Sequence, residues 1–134
     1  MLFRSEEPSI ESVRYIHLHK TADLLTAPVV AGLMLAGASE EQLEAARKYG
    51  CGLGVAFQIV DDLLDLEGDV AQLGKETGMD AQRGKMTWPA VRGVELARED
   101  AREAVENAVE AMRIFGAKGE KLSNLAQQSL VRKM

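Results

Sequence analysis

Eight consecutive residues, Gly50-Cys51-Gly52-Leu53-Gly54-Val55-Ala56-Phe57, carry no polar side chain and lie inside a stretch of helical spacing. A helix without a polar face has to be covered on most sides. The chain is therefore committed to wrapping other elements around this segment. Aromatic residues make up only 4% of the 134 residues. Such a core must rely on Leu, Val, Ala and Met, which favours packed helices over a sheet sandwich. No strand pattern or internal repeat competes with that reading. The expectation is an all-α helical bundle, with residues 1–134 as a single domain.

The remaining segments supply the helices. Residues 1–9 read as a loose N-terminal arm. Ile16, Leu24, Ala27 and Ala31 recur at helical spacing over residues 10–36, with Pro28 expected to kink or interrupt the helix and Gly37 to stop it. Ser39 and Gln42 form a capping box that opens a helix over residues 40–66. Residues 67–86 hold Gly68, Gly74, Gly78 and Gly84 and form the one long loop. Loops of that length in a compact domain are usually functional. Thr87-Trp88-Pro89 restarts the helix, with Trp88 as anchor and Pro89 in the first turn. The pattern continues through Ala97, Ala101, Ala104, Ala108, Met112 and Phe115. Gly116 and Gly119 then break the chain before a last helix over residues 120–132.

The formal net charge of −5 argues against nucleic acid as the main partner, because phosphate neutralisation needs clustered Lys and Arg. It leaves room for a local basic pocket. No apolar run approaches the roughly 20 residues of a membrane span, and the first residues lack a signal-peptide core. These features predict a cytoplasmic protein. Cys51 is the single cysteine, so no intrachain disulfide forms, and it reads as a small packing residue. His17 and His19, two apart on a helix, face different sides and do not suggest a shared metal.

The chemistry concentrates directly after the apolar run, in Gln58-Ile59-Val60-Asp61-Asp62-Leu63-Leu64-Asp65. On a helix Asp61 and Asp65 are i and i+4, Asp62 and Asp65 are i and i+3, and Gln58 joins the same stripe. Like charges so placed cost about 0.2–0.5 kcal/mol per pair on an exposed helix. Two explanations stand: a solvated acidic helix end, or a Mg²⁺ site. Magnesium takes one or two carboxylates, keeps waters and completes its shell with phosphate oxygens. The apolar run preceding the acids favours the metal. Gly54 and Gly50, one and two turns before Gln58, would let a long apolar object lie against the backbone. Lys20-Thr21, Lys75 after Gly74, and Lys85 after Gly84 offer cations for a diphosphate. Taken singly, each lysine reads as a surface charge.

These residues bring a family into view. The run from Gly54 through Phe57-Gln58 and Asp61-Asp62 to Asp65 resembles the second aspartate-rich motif of trans-isoprenyl diphosphate synthases, the farnesyl and geranylgeranyl diphosphate synthase group. Gly68-Asp69 and Leu73-Gly74-Lys75 look like the stretch that follows it, and Gly84-Lys85-Met86-Thr87-Trp88-Pro89 like the GKxTxP element. Lys20-Thr21 lies in a segment similar to the family's KT helix. The resemblance covers residues 15–97 and implies a partial isoprenoid synthase fold. It further implies that Asp61, Asp62 and Asp65 bind Mg²⁺, with Asp61 a direct ligand. Lys20 and Lys75 would hold an allylic prenyl diphosphate, with Lys85 a further contact. Thr21 and Gln58 would line the reacting carbon. The implied reaction is a prenyltransferase condensation: the diphosphate leaves, and isopentenyl diphosphate attacks the resulting carbocation.

In that family the first aspartate-rich motif precedes the KT helix. Only 19 residues precede Lys20 here, and Glu6, Glu7 and Glu11 form no DDxxD pattern. The chain is thus expected to hold one half of a two-sided metal clamp, corresponding to a C-terminal half. Three readings follow: a truncated, non-catalytic diphosphate-binding protein, a homo-oligomer whose two acidic helices face each other, or a complement to a separate N-terminal half. The apolar surface left by such a division predicts association, most simply as a dimer.

Overall fold

The computed structural model describes residues 9–73 and 86–131, the side chains of 69, 70, 72 and 73 apart. The described residues are helical almost throughout, as the spacing predicts. Helix α1 spans Ile10–His17, capped by Ser9, whose hydroxyl accepts from the Ser12 amide. A π segment, Leu18–Ala22, leads without a break into α2, Asp23–Leu35. The long helix α3 spans Glu40–Leu73. Helix α4, Trp88–Arg92, is followed by α5, Val94–Ala111. A 3₁₀ segment, Met112–Gly119, leads into α6, Glu120–Gln128, and a closing 3₁₀ turn, Ser129–Val131.

The capping box holds in both directions: the Gln42 amide donates to Ser39 Oγ at 3.2 Å, and the Ser39 amide to Gln42 Oε1 at 2.9 Å. From there α3 runs through the middle of the bundle. On one side it packs against α1, α4 and α5 through Val13, Val55, Ile59, Leu63, Trp88 and Ala97. Further along, Tyr49, Leu53, Val105, Ala108, Met112 and Ala126 form a second cluster, and the Tyr49 hydroxyl donates to the Leu122 carbonyl at 2.8 Å. Small residues on α5 let it approach closely: a β-carbon at Gly52 would overlap the Ala104 carbonyl.

Four expectations change. Helix α3 continues to Leu73, past residue 66, so part of the expected loop is helical; residues 74–85 and 1–8 lie outside the described residues. Pro28 sits inside α2 without interrupting it, and the irregularity falls earlier, in the π segment. The helix after Thr87 breaks at Gly93, whose φ of 86° only glycine adopts readily, although the apolar spacing runs on across it. Cys51 is exposed rather than buried.

Candidate active site on the long helix

The π segment carries Lys20 and Thr21, and it lies against the acid-bearing turn of α3. Thr21 Oγ1 donates to Gln58 Oε1 at 2.7 Å. The Gln58 amide is also hydrogen-bonded to the Asp62 carboxylate. With its oxygen turned to Thr21, its NH₂ is the group left to face Asp62. Lys20 is exposed beside this contact. The structure therefore brings Thr21, and with it the neighbouring Lys20, to Gln58, across 37 residues of sequence.

What allows that closeness is the glycine stripe. A β-carbon at Gly54 would overlap the Ala22 backbone, and one at Gly50 would overlap the Thr26 side chain. The apolar object lying along Gly50 and Gly54 is thus the chain's own π segment and α2. The sequence reading left a place there for an outside ligand; the close approach of the two backbones takes it.

The three carboxylates do not share one face. Asp65 is exposed and Asp61 half-buried, but Asp62 is only 8% exposed. Its Oδ2 accepts from the Trp88 backbone amide and lies 3.1 Å from His17 Nε2. Burial pushes the Asp62 carboxyl up to about 6, against the hydrogen bonds from Trp88 and Gln58 that favour its charge. His17 is 3% exposed, and burial, then the charge of Lys20, push it down to about 4. A neutral His17 donating from Nε2 to Asp62 satisfies both shifts. Asp62 thus stands apart from Asp61 and Asp65 in this fold: a 100° step per residue turns it to the covered side of α3.

Trp88 extends this network. Its indole donates to Asp100 Oδ2 at 2.7 Å, and Arg92 grips the same carboxylate with two hydrogen bonds of 2.8 Å. The Arg92 hydrogen bond holds the Asp100 carboxyl below its usual range. Asp100 and Arg92 carry no signal in the sequence, and His17 enters there only as an unsuitable partner for His19. Only their setting, a histidine one helical turn before Lys20 and a charge on a small-residue helix face, could have drawn attention to them.

Lys75 and Lys85 lie outside the described residues. Among the described residues no three His, Cys, Asp or Glu side chains gather as metal ligands. Asp61 and Asp65, one turn apart on α3, suit an ion that takes one or two carboxylates and fills its shell from phosphate and water. A cleft of about 1040 Å³ between α3 and α5 is lined by none of Lys20, Thr21, Gln58, Asp61 or Asp65. Its mixed charges, Lys48 and Arg14 against Glu44 and Glu103, give it no anion-binding character.

Comparison with known proteins gives this arrangement a context. The chain is 46% identical over 103 residues to geranylfarnesyl diphosphate synthase of Leucosceptrum canum, a chloroplastic protein, covering 77% of this chain and 28% of that one. It is 41% identical over 107 residues to the chloroplastic geranylgeranyl pyrophosphate synthase 11 of Arabidopsis thaliana, covering 80% and 30%. The chain thus spans less than a third of the length of these relatives. Geranyltransferase from Helicobacter pylori, solved with magnesium and isoprenyl diphosphate, shares the fold with a TM-score of 0.67 at 24% identity, over 97% of this chain and 42% of that one. No described helix is long and apolar enough to cross a membrane. A model of the polyprenyl synthetase family matches residues 2–125, and the chain belongs to that family.

Proposed function

We propose that this chain binds an allylic prenyl diphosphate together with Mg²⁺ at the face formed by Lys20, Thr21, Gln58, Asp61 and Asp65. The observation that carries the reading is the Thr21–Gln58 hydrogen bond, which joins the lysine-bearing turn to the acid-bearing turn. Asp61 and Asp65 would hold the metal. Bound there, Mg²⁺ supplies charge neutralisation for a departing diphosphate. Lys20 adds a flexible cation, and Lys75 and Lys85 complete the phosphate contacts on the family resemblance. Gln58, held by Thr21 and Asp62, presents a fixed amide beside the metal face.

The reading extends to prenyl transfer only if a second acidic face joins this one. A second copy of this chain is the simplest source of such a face. The outward side of α2 exposes Leu24, Met34 and Leu35, at 73%, 61% and 91%, and exposed apolar surface of that kind favours association.

Calorimetric titration with a non-reactive allylic diphosphate analogue tests this. Binding should require Mg²⁺ and should fall at least about tenfold in Asp61→Ala, the loss of a charged ligand contact. Binding that ignores both Mg²⁺ and Asp61 would refute the site. Light scattering at micromolar concentration should show a dimer; a strict monomer would refute self-association.

A further inference from the structure

Asp62 sits in the middle of the acidic motif yet turns away from it, and its surroundings are specific. One oxygen meets both the Trp88 amide at 3.1 Å and His17 Nε2 at 3.1 Å. The Trp88 amide opens the first turn of α4, where a carboxylate is favoured by the unpaired N–H groups of the helix start. His17 ends α1 and packs its ring against Trp88, with centroids 5.5 Å apart. The Trp88 indole then reaches Asp100 on α5. Val13, Ile59, Leu63 and Ala97 surround the network with apolar side chains. His17 Nδ1 is buried with no hydrogen-bond partner among the described residues. A buried polar atom left so costs stability, and the polar contact of His17 among the described residues, through Nε2 to Asp62, offsets that cost.

We infer that Asp62, held by His17 and capping Trp88, is a positioning residue that ties α1, α4 and α5 to the acid-bearing turn of α3. The tie fixes the rotation of that turn, so that Asp61 and Asp65 face outward beside Thr21 and Lys20. It rests on the reading of Asp61 and Asp65 as the binding face, but its geometry stands in the ligand-free protein. The division of labour within the motif is then two acids for the ligand and one for the scaffold.

Three variants separate these roles. In the ligand-free protein, Asp62→Ala removes the acceptor of the Trp88 amide and should speed its hydrogen exchange about tenfold. Asp62→Asn keeps a carbonyl acceptor and should change the exchange less than about threefold, as should Asp61→Asn. In calorimetry with Mg²⁺ and the analogue, Asp62→Asn should bind within about threefold of wild type, while Asp61→Asn loses at least about tenfold. Loss of binding in Asp62→Asn equal to that in Asp61→Asn, with Trp88 exchange unchanged, would make Asp62 a ligand and overturn the inference. Should wild type bind nothing, the proposed function fails, and exchange decides the tie alone. A Trp88 amide indifferent to Asp62→Ala would overturn it.

Discussion

Helices α5 and α2 both lie against α3, and they use it in opposite ways. Helix α5 buries Ala97, Ala101, Val105 and Ala108, one stripe at helical spacing, and turns Glu99, Arg102, Glu103 and Glu106 away. Helix α2 is almost wholly apolar, yet none of its residues is buried. Its contact is made at close quarters, Thr26 closing over Gly50 as Ala22 of the preceding π segment closes over Gly54. On the α5 side, stability comes from apolar side chains removed from water. On the α2 side it comes from close approach, which leaves the larger side chains on the outside. An apolar composition therefore says that a helix can be buried, not that this chain alone buries it.

Three measurements sharpen the contrast, in falling order of effect. Ile59→Ala, fully buried facing α1 and α5, should cost about 2–5 kcal/mol in urea unfolding, whereas Leu35→Ala, 91% exposed, should stay within about 0.5 kcal/mol. Comparable losses would show that a second copy covers α2 in solution. Gly54→Ala should cost about 1–3 kcal/mol, because the neighbour that must move is backbone. Gly32→Ala, with open space around it on α2, should stabilise by about 0.5–1 kcal/mol. A neutral Gly54→Ala would mean that α2 is free to shift on α3.

In the wild-type chain the smallest effect is that of pH. His17 falls to about 4 in the folded chain from its usual 6.5, so its contribution is lost as pH drops through that window. Asp62 rises to about 6 from 3.8, so the folded state takes up its proton first and gains stability over much the same range. The two oppose each other, and wild-type stability should change little between about pH 6 and 4 on their account. Asp62→Asn leaves the histidine alone: stability should then fall on acidification by about 1 kcal/mol per pH unit. A urea series across the window reads this; a flat profile in the variant would mean that burial does not keep His17 neutral.

Much of the bundle was legible because its signals are local. The capping box at Ser39 and Gln42, the unbroken apolar run of α3 and the Thr87-Trp88-Pro89 helix start each declare themselves within a few residues. The pairing of Lys20-Thr21 with Gln58 was legible through family resemblance, not through spacing. What escaped depends on which neighbour covers which side. Periodicity puts Asp62 within one turn of both Asp61 and Asp65, and only the presence of His17 and Trp88 on its flank takes it out of their company. Gly50 and Gly54 announce a close approach without saying what approaches. Gly93 interrupts the helix while the apolar stripe continues on both sides, so the pattern hides the break.

The π segment Leu18–Ala22 has one more consequence. A π turn accommodates one residue beyond the ordinary helical count, and one residue corresponds to about 100° of rotation. Downstream of Lys20, every position is therefore dialled round relative to α1. Val13 and His17 face one set of neighbours, while Ala22 and Thr26 meet the glycines of α3. Deleting a single residue between 18 and 22 would leave composition and helicity almost untouched. It would also swing one of those two contact sets off its target. In this stretch the chain is sensitive to counting more than to chemistry: a substitution can be absorbed, but a missing link cannot.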